Sequence, residues 1–104
     1  MADLYGIQAR LGDGNTPSIA SATTALVENA SRALFMIQNL GTNVLFVRLG
    51  AGASSTVFHF ALKGGTGNDD GLGGSFVTES SIIWTGEVSI AGTSPRYTVM
   101  ELTA

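Results

Sequence analysis

The sequence predicts an all-β fold, an antiparallel β-sandwich or jelly-roll-like barrel of about seven to eight strands. Three observations predict it. Fourteen glycines punctuate short runs of β-branched and aromatic residues along the 104-residue chain. No sustained helical period appears after residue 30. Several runs are apolar at consecutive positions, which asks for cover on both faces of a sheet.

Residues 1–23 differ in kind from the rest. Their large apolar groups, Leu4, Tyr5, Ile7, Leu11 and Ile19, are scattered among Gly, Asp, Thr, Ser and Pro17. Such a segment buries too little surface to hold one conformation alone. It is expected to form an arm that lies on another molecule, each apolar residue filling a pocket, with residues 24–104 forming the sandwich domain. In "SIASATTALVENASRAL" Ser and Thr interrupt an Ala-rich run, so "TALVE" reads as a strand ending at Asn29.

Arg32 to Leu40 reads as the next strand, with a turn at Gly41-Thr42-Asn43 and an antiparallel return from Val44 to Leu49. Leu45, Val47 and Leu49 share one face, and Val44, Phe46 and Arg48 the other. "LFMI", Leu34 to Ile37, places bulk on both sides of its sheet. Both strands are therefore expected at central positions. One face would meet a second sheet, and the other the N-terminal segment or a neighbouring subunit. "VFHFALK" alternates, which points Phe58, Phe60 and Leu62 to the core and His59, Ala61 and Lys63 outward. "SFVTES", "SIIWTGEVSIAG" and "RYTVMEL" complete the count, separated by turn signals at Gly86 and at Gly92-Thr93-Ser94-Pro95.

Composition narrows function. Apolar residues make up 44% of the chain and charged residues 12%, about half the usual share for a soluble domain. A domain this small leaves much surface exposed unless it associates, so a partner is expected. Five basic residues, Arg10, Arg32, Arg48, Lys63 and Arg96, are scattered, and the net charge is −3, which offers no footprint for nucleic acid. No apolar run approaches the ~18 residues of a membrane helix. "MADLYGIQARLGDG" carries acid where a signal peptide carries base, which predicts synthesis in a cytosol. With no cysteine, stability must come from packing or oligomerisation.

Chemistry finds little to work with. The loop "KGGTGNDDGLGG" has Lys63 before it and a strand after it, the wrong order for a phosphate loop. Asn68, Asp69 and Asp70 are consecutive rather than alternating, which argues against a calcium loop. The loop reads as flexible and exposed. His59 is the only histidine, and no nucleophile-elbow sequence accompanies it. No catalytic residue, cofactor or metal ligand is expected. Trp84 and Tyr97 fit core, interface or a sugar-stacking platform equally well, so a carbohydrate-binding module is the alternative reading.

The series Arg32, Leu34, Ile37-Gln38-Asn39, Gly41-Thr42-Asn43, Phe46-Val47-Arg48 and Gly50, then "FHFAL" and "GEVSIAGTSPRYTVMEL", resembles small structural proteins of tailed bacteriophages. Their "R-x-L-x-x-I-Q-N-x-G" strand, turn and "V-x-x-G" strand cover about residues 30–102 here. The resemblance implies a capsid decoration (cement) protein on the virion surface, with the major capsid protein and copies of itself as partners, commonly in a trimer. It leaves tail, neck and head-fibre positions open. Leu4, Tyr5, Ile7, Leu11, Ile19, Phe46 and Trp84 are the partner-binding candidates.

Overall fold

The computed structural model describes residues 6–8, 19–78 and 83–103. The fold is all-β, with eight strands among the described residues, in chain order: β1 Gly6–Gln8, β2 Ile19–Leu26, β3 Arg32–Asn39, β4 Leu45–Leu49, β5 Phe60–Leu62, β6 Ser75–Val77, β7 Val88–Gly92 and β8 Tyr97–Thr103. They form two four-stranded antiparallel sheets, sheet A in the order β1-β8-β3-β6 and sheet B in the order β2-β7-β4-β5. The ladders pair β1 with β8, β2 with β7, β3 with β6 and β4 with β5. A chain doubled back on itself in four such pairs and then wound into two sheets is a jelly roll. Of the two architectures the sequence allows, this is the one formed.

The core lies between the sheets. Phe35, Ile37, Tyr97 and Val99 come from sheet A, and Leu26, Leu45, Val47, Leu62, Val88 and Ile90 from sheet B. Each such side chain contributes about 1.5–3 kcal/mol when fully buried. β3 and β4 are central, as their two-sided apolar character requires. At the edge the sandwich is closed by Phe60 of β5 against Phe76 of β6, ring centroids 4.3 Å apart.

Gly41-Thr42-Asn43 does not close a hairpin. It carries the chain from sheet A to sheet B, because β3 takes β8 and β6 as its neighbours while β4 takes β7 and β5. Asn39 builds this corner from a buried position. Its Nδ2 donates to the carbonyls of Asn43, Leu62 and Lys63 at 2.8, 3.0 and 3.2 Å, and its Oδ1 accepts from Gly41 N–H at 2.9 Å. Gly73 passes so close to the Asn39 carbonyl that a Cβ there would lie inside contact distance. The corner and the 63–74 loop are thus one construction.

Residues 63–74 are more ordered than their composition predicts. Asp70 accepts from the backbone N–H groups of Thr66, Gly67 and Leu72 and from the Thr66 hydroxyl, all at 2.8–2.9 Å. These bonds, that from Leu72 foremost, lower the Asp70 carboxyl from 3.8 to about 2. Asp69 sits at φ 59° and takes a two-pronged hydrogen bond from Arg96, which also holds its carboxyl below the usual range. Because the folded Asp70 value is depressed, its contribution is complete above 3.8 and fades as pH falls toward 2. The loop is expected to keep its amide shifts down to about pH 4 and to loosen below it. Asp70→Asn should loosen it at neutral pH, as followed by the Gly67 and Leu72 amides in NMR.

The other end of the sandwich holds a buried ion pair. A bulge between Arg32 and Leu34 turns Arg32 to the inner side of sheet A, where Glu101, paired with Phe35, also points. Arg32 Nε donates to Glu101 Oε1 at 2.8 Å, with both side chains wholly buried. Its remaining nitrogens donate to the carbonyls of Trp84, Gly86 and Val27 at 3.0, 2.8 and 2.6 Å. One guanidinium therefore ties β3, β8, the 27–31 connection and the 84–87 segment together.

Candidate interaction surface

The outer faces of the two sheets differ, and the difference follows from where the chain places its loops. On sheet B the outward positions of β4 and β7 are Phe46, Arg48, Ser89 and Ala91. Ser89 and Ala91 are nonetheless buried. The cause is the 50–59 connection, which crosses this face. Ala53 N–H donates to Ser89 Oγ at 3.1 Å, and Ser89 Oγ donates to the Gly50 carbonyl at 2.6 Å. Phe58 lays its ring 4.9 Å from that of Phe46.

Phe58 thus points away from the core, contrary to the alternation of "VFHFALK". The strand begins only at Phe60, so the two-residue period cannot be extended back through His59. His59 is exposed, its N–H donating to the Val47 carbonyl at 2.8 Å while its Nδ1 accepts from Leu49 N–H at 2.9 Å. The cover expected from an N-terminal arm or a neighbour is here supplied by the chain's own loop.

On sheet A no such crossing connection is found among the described residues. Its outward positions are Leu34, Met36 and Gln38 on β3, Thr98, Met100 and Leu102 on β8, and Ser75 and Val77 on β6. The register aligns them in rows. Val77, Met36 and Met100 stand side by side, Leu34 stands opposite Leu102, and Ser75, Gln38 and Thr98 form a polar row at one end. Val77 is 54% exposed, while Leu34, Met36, Met100 and Leu102 are half-buried. None of the eight carries a charge. The run "LFMI" is the sequence signal for this face, since its inward pair Phe35 and Ile37 leaves Leu34 and Met36 outside. Met100 and Leu102 lie in "YTVMEL", whose outward side the sequence reading did not single out.

The predicted partner residues are placed as follows. Leu4, Tyr5 and Leu11 lie outside the described residues. Ile7 and Ile19 fall in β1 and β2, edge strands that pair with β8 and β7 of the same chain, Ile7 opposite Leu102 and Ile19 opposite Gly92. Phe46 is half-buried under Phe58, and Trp84 is half-buried against the core with its Nε1 donating to the Glu87 carbonyl at 2.9 Å. An indole committed in this way is not the open platform that sugar stacking uses. The predicted residues are not gathered at one place.

Four of the five described carboxylates have partners. Glu101 faces Arg32, Asp69 faces Arg96, Asp70 holds its loop, and Glu87 accepts from the Thr24 hydroxyl at 2.8 Å. Among the described residues no group of three or more His, Cys, Asp and Glu side chains is placed to hold a metal ion. Nor does any helix there have the length and apolar character to cross a membrane. No family model, curated protein or solved structure matches the chain.

Proposed function

We propose that the chain is a structural component of a tailed-bacteriophage virion, a decoration protein that binds the outer capsid surface and stabilises the shell by bridging major capsid subunits. The observation that carries this reading is the uncharged apolar outer face of sheet A, with Val77, Met36 and Met100 in one row and Leu34 beside Leu102. The jelly roll alone does not select the role, since capsid proteins, lectins and cupins share that architecture. The strand-and-turn resemblance over residues 30–102 supplies the virion context.

The physical logic is burial. Apolar area removed from water yields roughly 25 cal/mol per Å², and a surface of this kind stabilises only when another surface covers it. Many weak contacts acting together on a shell make loss slow. The protein is therefore expected to co-sediment with the capsids of its source phage at a fixed copy number per particle. Binding should change little between low and moderate salt, because no charged side chain stands in the rows of this face. A steep salt slope, or protein left in the supernatant, would contradict the role.

A further inference from the structure

We infer that the 50–59 connection is a strap latched by His59, and that protonation of this imidazole frees the second half of the strap and uncovers Phe46 on the outer face of sheet B. The inference concerns the face opposite the one proposed for the shell and does not depend on that role.

The latch is a hydrogen bond that only the neutral ring can make. Nδ1 of His59 accepts from Leu49 N–H at 2.9 Å. A ring nitrogen that accepts carries no hydrogen, so the proton of the neutral imidazole sits on Nε2. A second proton goes onto Nδ1 and sets donor against donor. The bond is then lost, and the ring turns into the solvent to which His59 is already exposed. The surroundings favour that exit. Arg48 is the only charged residue in β4, β5, β7 and residues 50–58, and it continues the β4–β5 register one step past the Val47–Phe60 pair, opposite His59. Lys63 follows the far end of β5, while the carboxylate of Glu87 is turned to Thr24 of β2, with β7 and β4 between β2 and β5. The imidazolium therefore meets a cation rather than a carboxylate.

The strap hangs on few points. Among the described residues, 54–57 hydrogen-bond only within themselves: Ser54 N–H donates to the Val57 carbonyl at 2.8 Å, and Ser54 Oγ accepts from Thr56 and Val57 N–H at 3.2 and 3.0 Å. The first half is pinned through Ser89 Oγ, which accepts from Ala53 N–H and donates to the Gly50 carbonyl. The second half is held by the Phe58 ring against Phe46 and by the two bonds of His59. Loss of the Leu49 bond thus acts on residues 57–59 and leaves Ala53 in place. Histidine is the side chain that ordinarily changes charge between pH 5 and 8, so the strap is shut above that window and loosened below it.

Amide hydrogen exchange followed by NMR on the full chain from pH 8 to pH 5, corrected for the intrinsic pH dependence of exchange, tests this. Protection of Leu49 N–H is expected to fall roughly fivefold, the worth of one such bond, in step with the titration of the His59 ring signals. The Phe46–Phe58 cross-peaks should weaken over the same range, and Ala53 N–H should keep its protection. His59→Asn, which retains an acceptor near the Nδ1 position but does not titrate, should hold Leu49 at one level throughout. The comparison of Leu49 with Ala53 in the wild type needs no variant to fold. Unchanged Leu49 protection across the range, an equal fall at Ala53, or the same fall in His59→Asn overturns the inference.

Discussion

Arg32→Ala is expected to lower the unfolding free energy by about 3–5 kcal/mol, a large part of the 5–15 kcal/mol that holds a typical domain folded. The substitution removes the partner of a wholly buried carboxylate and leaves the Trp84, Gly86 and Val27 carbonyls without their donor. Glu101→Gln also leaves a buried charge, that of Arg32, without its counter-charge, but it keeps an acceptor for Nε and leaves the three carbonyls their donors, so it should be destabilising by less. Replacing both partners with leucine should not restore the wild-type value, because the three carbonyls remain orphaned. Urea denaturation of the four proteins measures this. An Arg32→Ala midpoint within error of wild type would mean that the bulge in β3 does not place this guanidinium inside.

Asn39→Ala is the second large effect, about 2–4 kcal/mol. One amide bonds four backbone groups drawn from the 40–44 and 62–63 segments, and alanine removes all four bonds, leaving the Lys63 carbonyl with the Gly74 N–H alone. Asn39→Asp is informative beside it, since the carboxylate keeps the acceptor for Gly41 N–H but turns a donor toward three carbonyls into an acceptor. It should be no better than alanine at neutral pH and should recover on acidification. Thermal unfolding monitored at Trp84 reads both variants.

What the sequence made legible follows from the range of the interactions involved. Central strands were readable because "LFMI" and "VLFVRL" are apolar on both faces, a property of a few neighbouring residues. Sheet membership was not, because Gly41-Thr42-Asn43 suits a hairpin and a crossing between sheets equally well. The choice is made by β8 and β6 pairing with β3 from more than thirty residues away. Arg32 and Glu101 are separated by 69 positions, and nothing local to either marks it as buried. The same holds for Phe58, whose period-2 neighbours belong to a strand that it does not join. The outer face of sheet A was half legible. Leu34 and Met36 were visible in their own run, while Met100 and Leu102 joined them only through the register of β8.

That register also changes the reading of the first 23 residues. Gly6–Gln8 and Ile19–Leu26 are edge strands of the chain's own sheets, so under the decoration proposal contact with a neighbour draws on other surfaces as well. The same proposal rests most of that contact on sheet A, whose neutral apolar rows lie opposite the face roofed by residues 50–59.

The most direct measurement of the proposed decoration role compares wild type and Val77→Glu for co-sedimentation with capsids of the phage that the proposal implies, with folding of both checked by circular dichroism. Burial of the sheet A face predicts that the wild type pellets with capsids at a fixed stoichiometry and that the variant, folded but carrying a charge in the Val77–Met36–Met100 row, stays largely in the supernatant. Equal pelleting of the two proteins, or pelleting of neither, would contradict it.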